Sequence, residues 1–238
     1  MRLVGGYTNY GQDIGVLMLD TRFPRIPGDI GNAKSYPNVH VRYKVVKDAY
    51  APRIMAPNAD PALLKPFIEA AQELEAEGCK AITTSCGFLA MYQKELSERV
   101  NIPVFTSSLL QVKMVSDMLP ADKCVGILTI SANNLGERHF RGVGIEHVKK
   151  VVCGMDGTHF HDVFTDRSPH FDQEQATRDM VSAAQQMVEK YPEVGAIVFE
   201  CTNMPPYARA VADAVQLPVY DIITLTNYVM SGILKTPY

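Results

Sequence analysis

The sequence predicts an α/β protein of two pseudo-symmetric lobes, each a parallel sheet flanked by helices, with a site-bearing cleft between them. Short runs rich in Val and Ile alternate with helical patterns along the 238 residues, as expected for βαβ units. The pattern restarts after a turn-forming segment at Pro120–Asp122. The two halves also resemble each other at an offset of 115, with 7 of 24 aligned positions identical.

The first lobe is predicted to contain four strands and three helices. An apolar run at Ile14–Leu19 indicates a buried strand, and alternation at Val39–Val46 indicates a second. Asp60 followed by Pro61 is typical of a helix start, and Gly78 is typical of the residue that ends it. The remaining predicted elements are strands Ala81–Thr84 and Ile102–Phe105 and helices Phe88–Arg99 and Leu109–Met118.

The second lobe repeats this order. Its predicted strands are Val125–Ile130, Val148–Val152, Ala196–Phe199 and Leu217–Tyr220, and its helices are Gln173–Lys190 and Pro206–Val215. A last helix, Thr224–Leu234, follows the segment that mirrors the exit from the first lobe. We therefore expect one lobe to contain residues 1–121 and 218–238, and the other residues 122–217.

Two of the five cysteines occupy equivalent positions in the repeat. The chain has no C-x-x-C pair and an odd cysteine count, which disfavours a structural zinc site or a disulfide framework. Cys79, Cys124 and Cys153 fit the usual interpretation of buried, reduced thiols. Cys86 and Cys201 each follow a predicted strand, where open parallel sheets bind ligands. The duplication predicts that these two thiols face each other across the cleft.

The residues around both cysteines suit acid–base chemistry. A helix N-terminus stabilises a thiolate and binds carboxylates. Glu200 either orients a partner or faces solvent; pointing inward, it would raise the pKa of Cys201. Cys86, which has no acidic neighbour in sequence, is then predicted to be the more thiolate-like. The candidate anion-binding groups are the backbone N–H groups of Gly87, Phe88, Thr202 and Asn203, with Ser85 among their polar neighbours.

Two segments resemble the aspartate/glutamate racemase superfamily, namely Thr83–Phe88 and Glu200–Tyr207. That superfamily includes cofactor-independent amino-acid racemases, hydantoin racemase, maleate isomerase and arylmalonate decarboxylase. Leu19–Thr21 is similar to its acidic position after the first strand, and the segments Arg22–Asp29 and Val41–Val46 most resemble a branch that contains algal-type dimethylsulfoniopropionate lyases.

The sequence also departs from the glutamate racemase pattern. Those enzymes have Thr-His after the second cysteine, whereas Thr202 is followed here by Asn203; they have Asp-Ser-Gly where this chain has Asp20-Thr21-Arg22. A dedicated glutamate racemase is therefore not expected.

The resemblance implies a racemase or epimerase that acts on an amino acid or related small carboxylate without a cofactor or metal. One cysteine removes the α-proton and the other reprotonates the opposite face. The implied catalytic residues are Cys86 and Cys201, and the implied substrate-binding residues are Asp20, Thr21, Ser85, Gly87, Phe88, Thr202 and Asn203. A lyase that expels a β-leaving group, a maleate-type isomerase and a non-catalytic binding protein stay open. The resemblance to this superfamily also implies a homodimer.

Composition excludes other classes of partner. The net charge of −3 comes without a basic stripe, which disfavours nucleic-acid binding. No stretch of 18 apolar residues is present and the N-terminus lacks an apolar signal region, so we expect a cytoplasmic protein without membrane contact.

Other polar and aromatic residues leave their roles open. The His- and Asp-rich segment 154–172 is interpreted as a polar loop rather than a metal site, with covering of the cleft as an alternative. Arg22 and Arg25 either bind a substrate carboxylate or lie in solvent. Tyr92 and Tyr207 are interpreted as residues that pack between helices rather than as residues of the cleft.

Overall fold

Two four-stranded parallel sheets of identical topology form the framework of the computed structural model, which describes residues 5–56, 60–165 and 168–235. The first sheet has the strand order β2-β1-β3-β4 and the second has the order β6-β5-β7-β8. The strands are β1 Ile14–Met18, β2 Val41–Val45, β3 Ala81–Thr84, β4 Val104–Phe105, β5 Cys124–Thr129, β6 Lys150–Gly154, β7 Val194–Phe199 and β8 Val219–Tyr220. The predicted fold class and the duplication are confirmed.

Helices cover both sheets. They are α1 Ala51–Ile54, α2 Leu64–Ala76, α3 Gln93–Ser97, α4 Gln111–Met118, α5 Glu137–Gly142, α6 His159–Phe164, α7 Gln173–Lys190, α8 Ala208–Val215 and α9 Ile222–Ile233. Because the central strands β1 and β5 are covered on both faces, every residue of each is buried. The edge strand β2 is only partly buried, as its alternating sequence indicates.

The equivalent glycines Gly15 and Gly126 show the repeat at atomic level. A Cβ on Gly15 would lie 2.8 Å from a Leu74 side-chain carbon, and one on Gly126 would lie 2.4 Å from the Met187 sulfur. Each central strand thus allows the helix above it to pack closely at the same point, because glycine has no side chain there.

The C-terminal helix α9 packs on the first sheet. Its residues Ile222, Leu225 and Met230 share a buried cluster with Ile14 and Val16 of β1. Asp221 caps this helix by accepting a hydrogen bond from the backbone N–H of Thr224. Since β8 pairs with β7, the return to the first lobe begins at Asp221, three residues after the expected position 218.

The segment after each cysteine differs from the prediction. Instead of one helix over Phe88–Arg99, a 3-10 helix at Gly87–Tyr92, buried at every residue, precedes the short α3. After Cys201 the chain makes a turn and a 3-10 helix at Pro205–Tyr207 before α8 begins. Cys86 therefore caps a short 3-10 helix, whereas Cys201 lies in a turn that precedes the next 3-10 helix.

Candidate active site

The two cysteine-bearing loops line a pocket at the carboxyl ends of the two sheets. It is lined by residues from both lobes: Leu19, Thr21, Phe23, Arg25, Ala51, Met55, Ser85, Cys86, Gly87, Phe88, Ile130, Phe164, Glu200, Cys201, Thr202 and Asn203. The prediction that Cys86 and Cys201 lie at one cleft agrees with this position. The pocket follows the rule that parallel sheets bind ligands beyond their carboxyl ends.

Eight of the nine predicted site residues line this pocket, and Asp20 is the exception. Its exposed carboxylate forms an ion pair with Arg22, whose side chain is 82% exposed. Arg25, in contrast, lines the pocket with a largely buried side chain. Of the two arginines after β1, Arg25 is therefore the one placed to meet a ligand.

The cysteine loops contact each other in a pseudo-two-fold arrangement. The hydroxyl of Thr202, which follows Cys201, donates to the backbone carbonyl of Ser85 at 2.7 Å. Reciprocally, Glu200 lies against Gly87: a Cβ on Gly87 would lie 2.2 Å from the Glu200 carbonyl oxygen and 2.3 Å from its Oε1. The residue before each cysteine thus contacts the residue after the other, and only glycine at position 87 permits this approach.

Cys86 is half-buried and lies in a site where burial outweighs the hydrogen bonds to its sulfur. Burial, followed by the charge of Glu200, raises its pKa to about 12, although the backbone N–H groups of Phe88 and Leu89 and the charge of Arg25 act in the opposite direction. The prediction that this position lowers the pKa of Cys86 is wrong, because desolvation of the thiolate costs more than the short helix returns. Cys86 has no acidic neighbour in sequence, as stated, but it has one in space, because Glu200 of the other lobe lies against Gly87.

Cys201 is more deeply buried, at 8% exposure, and has a side-chain partner. Its Sγ donates to Asn203 Oδ1 at 3.5 Å. Asn203 Nδ2 in turn donates to Asp29 Oδ2 at 2.6 Å, and Arg25 donates to the other oxygen of Asp29 at 2.7 Å. Burial and the charge of Glu200 raise the pKa of Cys201 well above its usual range. Glu200 therefore acts as predicted on this thiol.

Asp29 is a residue that the sequence analysis did not single out. It is almost fully buried and orients Asn203 and Arg25 from the loop after β1. Its position within Arg22–Asp29, a segment that carries the family resemblance, was the available signal. No periodicity marks it, because it lies in an irregular loop.

Glu200 is a buried carboxyl group, and one of its two oxygens has a hydrogen-bond donor. Its Oε2 accepts a hydrogen bond from the hydroxyl of Thr129 at 2.6 Å. Among the described residues, Oε1 is buried without a hydrogen-bond partner. Burial raises the pKa of this carboxyl to about 7, while Thr129 and the backbone N–H of Ile130 limit the rise.

The remaining wall of the pocket is apolar and aromatic. Phe23 and Phe164 meet edge to face, with ring centroids 4.9 Å apart. Phe164 ends α6, so part of the segment 154–172 is a helix whose last residue lines the pocket, and its interpretation as a polar loop is corrected. Within the described ranges, no group of three or more His, Cys, Asp or Glu side chains is arranged to hold a metal ion.

Both cleft-lining tyrosine candidates are mainly packing residues. Tyr207 is buried and packs edge to face on Phe160. Tyr92 is buried in the 3-10 helix after Cys86. Neither lines the pocket.

The duplicated parallel α/β fold brings one thiol from each lobe to a single pocket. Residues 32–226 match the Asp/Glu/Hydantoin racemase family. The chain therefore belongs to that family, as the sequence resemblance predicts.

Proteins of similar sequence include lyases. The chain is 28% identical over 230 residues to the dimethylsulfoniopropionate lyase of Durusdinium sp. clade D, covering 94% of this chain and 76% of that protein. It is 30% identical over 237 residues to dimethylsulfoniopropionate lyase 5 of Emiliania huxleyi, covering 94% of this chain and 46% of that longer protein. The predicted likeness to this branch is confirmed.

Solved structures of similar fold include a racemase and a decarboxylase. The glutamate racemase from Aquifex pyrophilus has a TM-score of 0.57 at 15% identity, covering 94% of this chain and 84% of that one. Unliganded arylmalonate decarboxylase has a TM-score of 0.56 at 14% identity, covering 87% and 86% of the two chains. These likenesses establish the shared fold.

None of the helices in the described part of the chain combines the length and apolar character that a bilayer crossing requires.

Proposed function

We propose that this protein is a cofactor-independent racemase or epimerase of a small carboxylate, with Cys86 and Cys201 as the acid–base pair. The observation that carries the proposal is that equivalent positions of a duplicated fold deliver one thiol from each lobe to a single pocket. Inversion at carbon requires a base on one face of the substrate and an acid on the other. A thiol from each lobe can supply these two groups.

In the proposed reaction, one cysteine, as thiolate, takes the proton from the carbon next to the substrate carboxylate. The electron pair of the broken C–H bond moves into the carboxylate, and the second thiol then donates its proton to the opposite face. Both thiols have raised pKa values in the free protein. Positive charge near the pocket is therefore needed to form the thiolate and to stabilise the developing dianion.

Arg25 is the proposed carboxylate-binding residue. It lines the pocket, and its charge favours the thiolate of Cys86. Asp29 and Thr21 fix its guanidinium group through hydrogen bonds of 2.7 Å and 2.9 Å. Arginine binds carboxylates through paired donors, so this side chain suits an anionic substrate. Thr202 and Asn203 also line the pocket, and Asn203 is held by the same Asp29 that orients Arg25.

A lyase is the second candidate, favoured by the likeness to dimethylsulfoniopropionate lyases across 94% of this chain. It uses the same first step, removal of the α-proton, but the carbanion then expels a leaving group from the β-carbon. An aromatic wall of Phe23 and Phe164 suits an apolar or cationic leaving group. A maleate-type isomerase would instead use one cysteine as a nucleophile.

Incubation in D₂O with a panel of amino, hydroxy and thio-organic acids, including dimethylsulfoniopropionate, tests the proposal. A racemase gives α-deuterated substrate with loss of optical activity, whereas a lyase gives an unsaturated acid and a released leaving group. Recovery of every acid without deuterium or product, from protein verified as folded, would favour a binding protein. The cytoplasmic location and the homodimer predicted from sequence stay predictions.

A further inference from the structure

One carboxyl oxygen of Glu200 accepts hydrogen bonds from the protein, and the other has no partner among the described residues. By the repeat, the counterpart of Glu200 is Ser85, which also precedes a cysteine. The Ser85 hydroxyl accepts the backbone N–H of Leu19 at 2.8 Å at the end of β1. Glu200 performs the same task at the end of β5, since its carboxyl interacts with the backbone N–H of Ile130. A serine at this position is therefore enough to accept the backbone N–H at the end of the central strand, and a carboxyl group is not needed for it.

The extra oxygen points into the space between the loops. Oε2 of Glu200 accepts from the Thr129 hydroxyl, whereas Oε1 faces Gly87 and, among the described residues, has no partner. A buried carboxylate oxygen without a donor costs free energy. The cost falls when the carboxyl carries a proton, because a neutral acid loses less hydration energy than a carboxylate.

The Glu200 carboxyl acts electrostatically on both thiols. Its charge is the largest electrostatic cause, after burial, of the raised pKa of Cys86 and of Cys201. The other charged groups nearby are Arg25, which favours the Cys86 thiolate, and Asp29, which disfavours the Cys201 thiolate. Both come from the loop after β1, and they form an ion pair with each other.

We infer that Glu200 is a positioning residue for the thiol pair: its carboxyl is buried between the two cysteine loops, and its ionisation makes either thiol harder to ionise. This inference deepens the proposed function, since it says how the site forms a thiolate in a buried pocket. The charge of Glu200 raises the pKa of both thiols, and the charge of Cys86 raises that of Cys201, so the titrations of the three groups are coupled. The carboxyl titrates near neutral pH, at about 7, within the range where an enzyme works.

The test is the rate at which Cys86 is alkylated by iodoacetamide from pH 5 to pH 10, read by peptide mass spectrometry without any substrate. Glu200→Gln keeps the shape of the side chain but removes its charge. Below about pH 6 the variant and the wild type should react at similar rates, because the protonated Glu200 of the wild type and the glutamine of the variant are both neutral. Above about pH 8 the variant should react roughly tenfold faster, which corresponds to one pKa unit of coupling. The midpoint of the change should lie near the carboxyl pKa of about 7.

Two further variants separate this role from a structural one. Glu189→Gln removes an exposed charge from α7 of the same lobe and should leave the profile unchanged. Thr129→Val removes the donor that lowers the carboxyl pKa; its Cys86 should react faster than wild type only in a window just above pH 7. This second variant keeps the test decisive if Glu200→Gln fails to fold.

A ratio of variant to wild-type rates that does not change with pH would overturn the inference, whether that ratio is one or some other value. The measurement does not depend on the proposed reaction. A pH-dependent ratio together with a negative D₂O panel would keep the role of Glu200 and reject the racemase or lyase function. A flat ratio with a positive panel would do the reverse.

Discussion

The Cys86 and Cys201 loops occupy equivalent places in the two lobes but offer their thiols different surroundings. Cys86 is half-buried and caps a 3-10 helix. Cys201 is nearly fully buried in a turn and donates to Asn203, which is oriented by Asp29 from the other lobe. The duplication therefore determines where the thiols lie, and the divergence of their neighbours determines how each thiol behaves.

Substitution of either cysteine is the strongest way to break the comparison. Cys86→Ser and Cys201→Ser should each lose at least ~10³ in turnover of the substrate that the D₂O panel identifies, because a serine hydroxyl is a far weaker acid and base. Cys153→Ser, in β6 away from the pocket, is the matched control and should retain activity. Full activity in either pocket variant would contradict the two-base mechanism and favour a one-cysteine enzyme.

Much of this arrangement was predictable from sequence, because topology follows from periodicity. The alternation of apolar runs and helices, with Cys86 and Cys201 at one repeat offset, was enough to predict the fold and the shared pocket. The conformation after each cysteine was not predictable, since Gly87–Tyr92 is apolar throughout and gives no helical period. The inward direction of Glu200 and the role of Asp29 depend on contacts between lobes, which no local pattern encodes.

Gly87, which follows Cys86, should be sensitive to mutation because the Glu200 loop lies against it. Gly87→Ala places a Cβ 2.2 Å from the Glu200 backbone carbonyl oxygen, which cannot move like a flexible side chain. We expect a loss of about 2 kcal/mol or more in the free energy of unfolding, measured by urea denaturation.

Gly232→Ala in α9 is the matched control, because a Cβ there meets nothing within 4 Å. It should be neutral or slightly stabilising. Equal stability of the two alanine variants would show that the loops do not approach as closely as described.

The order of thiol labelling sharpens the comparison further. Cys86 should be alkylated before Cys201, by about tenfold at pH 8, because Cys86 is half-buried whereas Cys201 is buried, so the reagent reaches Cys86 more easily. Peptide mass spectrometry after a short exposure to iodoacetamide measures the order. Faster labelling of Cys201, or equal labelling of all five cysteines, would contradict the described asymmetry.

The most direct test of the central claim is α-proton exchange in D₂O by the two single-cysteine variants, measured separately on each enantiomer of the identified substrate. If the thiols act from opposite faces, each variant should still exchange the α-proton of the one enantiomer whose base remains, without converting it to the other. Cys86→Ser and Cys201→Ser should then retain exchange on opposite enantiomers. Exchange of both enantiomers by one variant, or loss of exchange on both enantiomers in each folded variant, would contradict an acid–base pair on opposite walls of the pocket.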